Sequence, residues 1–129
     1  ARHRAIECGQ VRKIPACISA QPLHLRSTTM ALKAAFMFVD TGADPATNRS
    51  TVTTPGVELL TVAVNDYAQA EEVASKLADE GYVAIELCGG FGIEGVARVK
   101  KAVPDTVAVG VVRFDHHPGL GHKSGDELY

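Results

Sequence analysis

A short stretch near the end of the chain, residues 115–125, concentrates ionisable side chains. It holds three of the five histidines, His116, His117 and His122. Imidazole titrates near neutral pH, so His116 and His117 are candidates for general acid–base catalysis. Asp115, His117 and His122 could together bind a divalent metal, but their spacing matches no standard metal site, and none is assigned. A solvated polar loop is the alternative interpretation.

A carboxyl group and a thiol, Glu86 and Cys88, lie two residues apart in a strand-like run, so their side chains share one face. A carboxylate in a buried strand is costly unless it is paired. Glu86 is therefore a candidate general base or ligand anchor, unless it pairs with Arg113 or a helix cation. Cys88 is a candidate nucleophile next to a helix N-terminus, with a small buried apolar residue as the alternative.

A glycine-rich run after the same strand has the spacing G-x-G-x-x-G, and Asp115 lies 20 residues beyond its last glycine. This matches a dinucleotide fingerprint, but only one strand follows, and Glu94 is negative where a pyrophosphate would bind. A smaller anion fits the free N–H groups of a helix N-terminus. We predict that Gly89, Gly90 and Gly92 bind a ligand; a tight turn that needs glycine is the alternative.

Three cations could balance the charge of a bound anion: Arg49, Arg113 and Lys123. Arg49 lies in a long polar stretch, residues 40–56, and long loops in small domains are often functional. Together with Asp115, these three cations complete the predicted ligand-binding residues. A surface arginine without a ligand is the alternative interpretation of Arg49.

Alternating strand-like and helix-like segments must position these side chains. Asp66 and Gln69 form a capping-box pattern at the start of a helix that ends before Gly81. A second helix is predicted from about residue 93 to Val103, where Pro104 stops it. Strand-like apolar runs cover residues 33–39, 57–64, 82–88 and 106–114. We therefore predict an α/β fold: a small, mostly parallel four-stranded sheet in the order β-β-α-β-α-β, with two covering helices.

The predicted topology brings the candidate residues to one edge of the sheet. In open parallel sheets, ligands bind outside the carboxyl ends of the strands. Residues 89–95 and 115–125 each follow a predicted strand, and residues 40–56 join them if the first strand is also parallel. The last strand is nearly all apolar, which is typical of a strand covered on both faces.

Composition excludes several classes of protein. The chain has 129 residues, a formal net charge of −2, 46% hydrophobic residues and 22% charged residues. No apolar run is long enough to span a membrane, and the charge disfavours nucleic acid as a partner. Residues 1–29 carry +4 and residues 30–129 carry −6. We therefore predict a basic N-terminal extension, 1–29, and a single compact α/β domain, 30–129.

The three cysteines form no CxxC pair, which is typical of reduced thiols in a cytoplasmic protein.

The region from Met30 to Leu128 resembles a family of short uncharacterised bacterial proteins, about 100 residues long, that form a domain of unknown function. The motifs ELCGGFGIEG and VRFDHHPGLGHKSGDEL carry this resemblance. It implies a compact α/β domain but supplies no activity, substrate or cofactor.

Two functions from different classes follow. The first is a small-molecule binding protein for an anionic metabolite, which could also be an enzyme, with its site at the carboxyl edge of the sheet. Glu86 or a loop histidine would then handle protons. The second is a non-catalytic assembly module, with a homodimer favoured and the histidine-rich tail as an interface or metal-binding loop. No cofactor is specified by these residues.

Overall fold

The computed structural model describes residues 30–129, so the predicted extension 1–29 lies outside the described residues. Seven regular elements are followed by two short 3₁₀ turns, Pro118–Leu120 and Gly125–Glu127. The regular elements are β1 (Leu32–Val39), β2 (Arg49–Thr53), β3 (Val57–Val64), α1 (Tyr67–Asp79), β4 (Ala84–Leu87), α2 (Ile93–Ala102) and β5 (Ala108–Val111). None of the helices in this part of the chain is long and apolar enough to cross a membrane.

The strands form one mixed sheet in the order β2-β3-β1-β4-β5. β1 is parallel to both of its neighbours, β4 is parallel to β5, and β2 is antiparallel to β3. The predicted α/β class is confirmed, but the prediction of four strands is wrong by one. The missing strand, β2, lies in the polar stretch 40–56, which was predicted as a loop. All five β2 residues are exposed at the sheet edge, so no apolar pattern marks them.

Both helices pack on one side of the sheet and contact each other. Asp66 caps α1 as predicted, because its carboxylate accepts a hydrogen bond from Gln69 N at 2.8 Å. The side chains of β1, β3 and β4 alternate, so every second one enters the core beneath the helices. The largest fully buried side chains are Phe91, Met37, Leu60, Ile85, Leu87, Val62, Val64 and Val99.

The opposite side of the sheet has no layer above it in the described part of the chain. We call it the open face; it consists of Leu32, Ala34, Phe36 and Phe38 of β1 together with their register partners on the other strands. One row across the sheet is Val52, Leu59, Ala34, Ala84 and Ala108. The next is Ser50, Thr61, Phe36, Glu86 and Gly110. β5 is an exposed edge strand, so its predicted coverage on both faces is wrong.

Candidate functional site

A cleft of about 330 Å³ lies at the carboxyl ends of β1 and β4, where the C-terminal tail, residues 112–129, crosses them. We refer to it as the cleft. Its lining residues are Phe38, Val39, Asp40, Cys88, Gly90, His117, Gly119, Leu120 and Tyr129. The structure thus brings together three of the predicted site residues, Cys88, Gly90 and His117. Phe38 and Tyr129 were not predicted, because aromatic residues at these positions look like ordinary core.

His117 is held by the tail in a defined orientation. Its Nδ1 accepts a hydrogen bond from Gly119 N at 3.1 Å, and its ring meets Phe114 edge to face at 5.2 Å. In the neutral imidazole the proton therefore lies on Nε2. His117 and Lys123 also form an isolated antiparallel bridge, which closes the tail into a small loop. The ring can consequently donate from Nε2 while its other nitrogen is engaged.

Cys88 and Asp40 follow the two strands that end at the cleft. The Cys88 Sγ accepts a hydrogen bond from Gly90 N at 3.2 Å, and its side chain is half-buried. Asp40 is exposed, and its backbone N–H donates to Val64 O at 2.9 Å, extending the sheet by one residue. A thiol, a carboxylate and an imidazole therefore line the same cleft, next to the aromatic ring of Phe38.

The remaining predicted residues lie outside the cleft. Glu86 is exposed on the open face, and among the described residues no salt bridge joins it to Arg113. Arg113 instead pairs with Asp115 at 2.7 Å and lines a hollow beside α2, on the helix side of the sheet. The register partner of Arg49 is the buried Val62, so the Arg49 side chain lies on the helix side of the sheet, where it lines a hollow beside α1.

The other tail residues also point to separate places. His116 Nδ1 lies 3.2 Å from the backbone oxygen of His122, and both side chains are exposed. Lys123 is exposed as well. Within residues 30–129, no group of three or more His, Cys, Asp or Glu side chains is placed to hold a metal ion.

The N-terminus of α2, where an anion was expected, already holds a carboxylate from the tail. Asp126 accepts hydrogen bonds from Glu94 N at 3.1 Å and from Gly95 N at 3.2 Å. It also accepts one from the Tyr67 hydroxyl at 3.1 Å, and that hydroxyl accepts one from Gly92 N at 2.9 Å. We call these contacts of Asp126 the latch. A ligand could reach these N–H groups only by displacing Asp126.

The glycines of the G-x-G-x-x-G run make room for the latch and the tail. A Cβ on Gly92 would overlap the Asp126 carboxylate, and a Cβ on Gly95 would lie 2.5 Å from the Tyr67 ring. A Cβ on Gly89 would overlap the Phe114 ring. Close packing of the chain on itself therefore explains these glycines without a dinucleotide.

Sequence reasoning missed Tyr67 and Asp126. Tyr67 opens α1 and looks like a core aromatic residue, and only its hydroxyl reveals a second role. Asp126 lies inside a capping box formed by Ser124 and Glu127, and that S-x-x-E pattern is visible in the sequence. The pattern predicts a short helical turn there, but it does not indicate that Asp126 reaches α2.

The latch predicts a loss of stability in alkali. Burial raises the pKa of Tyr67 to about 12, and the nearby Asp126 carboxylate acts in the same direction. The protonated phenol therefore contributes stability that is complete below the unfolded value of 10.0 and is lost as pH rises through about 12. We expect the urea midpoint of the natural chain to fall as pH rises through this window, and the midpoint of Tyr67→Phe to fall less steeply. Equal dependence of the two midpoints on pH would contradict a stabilising role for the protonated Tyr67 hydroxyl.

Comparison with known proteins identifies the chain only at the level of a family. A family model described as a family of unknown function matches residues 32–127. No curated protein matches, and no solved structure matches either. None of these comparisons assigns an activity or a ligand to the chain.

Proposed function

This chain belongs to the family of unknown function DUF6506, so its resemblance to a short uncharacterised domain is confirmed, and we propose its function from its site. It binds a small anionic molecule at the carboxyl edge of the sheet. The observation that carries the proposal is the cleft, in which His117 and Cys88 lie beside Phe38. A lining that is mostly apolar, with a small number of polar groups, is typical of small-molecule sites.

The charges around the cleft orient such a molecule. Asp40 lines the cleft and would repel a second negative charge there. Lys123 is the bridge partner of His117 and is exposed, so its ammonium group can balance the charge of an anion at that end of the cleft. We therefore place the anionic group at the His117 end of the cleft, within reach of Lys123, and the apolar part over Phe38.

The same cleft supports a chemical step if the bound molecule is also transformed. His117 would transfer a proton through Nε2, since Nδ1 is engaged by Gly119 N. Cys88 would be the nucleophile, because its sulfur lines the same cleft. Glu86, Asp115 and His116 fall outside this arrangement. The free thiol of Cys88 also fits our proposal of a reducing, cytoplasmic setting.

A thermal-shift screen with small carboxylates, phosphorylated metabolites and nucleotides tests this proposal. A molecule that binds only the folded state raises the melting temperature by mass action. We expect the shift in the natural chain to disappear in His117→Gln and to shrink in Lys123→Gln. Arg113→Gln is the matched control, because Arg113 lies on the helix side of the sheet. A shift that survives in His117→Gln but disappears in Arg113→Gln would contradict the site.

A second candidate function is a non-catalytic assembly module. The open face favours it, since Leu32 is 46% exposed, Val52 60% and Leu59 36%. Contiguous apolar surface of this kind often marks a contact with another protein. The two candidate functions require different residues, because an assembly module would not need Lys123 or His117.

A further inference from the structure

The cleft and the open face form one continuous surface. Phe38 belongs to both, and Cys88 extends the β4 ladder beside it, since its N–H donates to Met37 O at 2.9 Å. We propose that a second copy of this chain packs face to face on the open face and supplies the missing wall of the cleft. The dimer stands on the composition of the open face, and only its effect on a ligand rests on the proposed function.

The open face has the composition of an interface. An outward face of a sheet in water usually carries polar residues, alternating with the buried ones. Here the first row, from Val52 to Ala108, is entirely apolar, and the second row has a single charged residue, Glu86. A partner with many charges would find nothing to pair with. Another uncharged sheet face fits, and a second copy provides one.

The two halves of the open face complement each other in size. In the first row, the half formed by β2 and β3 carries Val52 and Leu59, whereas the half formed by β4 and β5 carries Ala84 and Ala108. A two-fold axis parallel to β1 would turn the second copy so that large residues lie over small ones. Leu59 would then lie over Ala84 of the partner subunit.

The second row is complementary in polarity under the same axis. Ser50 and Thr61 offer hydroxyl groups on one half, and Glu86 offers a carboxylate on the other, with Phe36 between them. The two-fold axis places Glu86 over Thr61 of the partner subunit, whose hydroxyl group can donate to it. The one charge on the face would therefore be hydrogen-bonded on burial instead of being left unpaired. A two-fold axis along this row, perpendicular to the strands, would instead place Glu86 over its own counterpart.

The area of the face suits a modest dimer. Five strands about 4.8 Å apart and some six residues long cover roughly 500 Å² in projection. The accessible area is larger than this projection because the side chains make the surface uneven. The tail residues beside the cleft add to it, which brings it closer to a standard interface of about 800 Å² per partner. Because the axis runs along the strands, the carboxyl ends of both sheets lie at the same end of the dimer. Each cleft then faces the Phe38 region of the other copy.

The oligomeric state of the full chain is the first test. We expect light scattering to give twice the chain mass of 13.6 kDa, and Leu59→Lys to give a monomer that keeps a native circular dichroism spectrum. Val52→Lys, at a residue 60% exposed, serves if Leu59→Lys does not fold. Ile93→Lys is the matched control, since Ile93 is 60% exposed on α2. A monomeric natural chain, or a dimer broken only by Ile93→Lys, would overturn the proposal.

A double-mutant cycle tests the direction of the axis. Within one copy, Thr61 and Glu86 are separated by Phe36 in the row and do not touch. Glu86→Ala and Thr61→Val should each weaken the dimer. The dissociation constant of the double variant should then be lower, by about threefold or more, than the value obtained by multiplying the two single effects. Independent effects on the dissociation constant would exclude this axis.

Thiol reactivity tests enclosure of the cleft without any ligand. In a Cys8→Ser, Cys17→Ser background, Cys88 is the one remaining cysteine of the three in the chain. We expect a thiol reagent to react several-fold faster with Cys88 after Leu59→Lys than before. Equal rates would mean that the second copy does not close the cleft. A dimer that binds no anion would contradict the proposed function alone, whereas a monomer that binds one would contradict the dimer alone.

Discussion

Replacing Asp126 by alanine is expected to lower the free energy of unfolding by about 2–3 kcal/mol, because one carboxylate caps α2 and anchors the tail. The two backbone N–H groups of Glu94 and Gly95 lose their acceptor, and so does the Tyr67 hydroxyl. The negative charge also interacts favourably with the helix N-terminus, and that contribution disappears with it. The tail, which carries His117 and Tyr129 into the cleft, would lose an anchor.

Urea unfolding measured by circular dichroism gives this free energy directly. Asp105→Asn is the matched control, since Asp105 is fully exposed and forms a long 3.6 Å ion pair with Lys100. We expect the control to change stability by less than about 0.5 kcal/mol. The loss of stability in Asp126→Asn should lie between those of Asp126→Ala and Asp105→Asn, because the amide keeps one acceptor oxygen. A loss in Asp126→Ala no larger than the control would contradict the latch.

Gly125→Ala is expected to be at least as damaging, with a loss of about 3 kcal/mol or more. An added Cβ would overlap the backbone oxygen of Gly90 and lie 2.6 Å from the Tyr67 hydroxyl. Neither neighbour can yield, since one is backbone and the other belongs to a ring that is 2% exposed. The tail would have to move away, taking Asp126 and the latch with it.

Limited proteolysis and urea unfolding together test the effect of this methyl group. In Gly125→Ala we expect new cleavage sites within the tail, because a displaced tail is open to a protease. Gly56→Ala is the matched control, since no atom lies within 4 Å of the Cβ it would add. That control should keep the natural cleavage pattern. A Gly125→Ala variant with natural stability and an intact tail would show that the tail does not pack as described.

The regular elements that carry an apolar pattern were predictable, and those without one were not. The Asp66 cap, the stripe of α1 and the strand before Cys88 follow from spacing alone, because each buries one side. β2 has all its residues exposed, so its only support is the hydrogen-bonded pairing with β3. Pairing with a distant strand leaves no local pattern for sequence reasoning to find.

The candidate site was predictable as a region but not as a set of contacts. The carboxyl edge follows from topology, and the cleft that contains Cys88 and His117 lies there. The role of the glycine run could not be decided, because phosphate binding and close packing both require glycine. The contact between Asp126 and Gly95 joins residues 31 positions apart, and the tail must fold back over the sheet to form it.

The central place of β1 has a consequence for how the protein is made. Among the strands of residues 30–129, β1 comes first in chain order, yet one of its two neighbours is β4. Glu86, the register partner of Phe36, leaves the ribosome about fifty residues after Phe36 does. During that interval β1 has at least one unpaired edge, and an unpaired edge on an apolar strand is a template for aggregation. The nascent first half of the domain is therefore the part that a chaperone would have to shield.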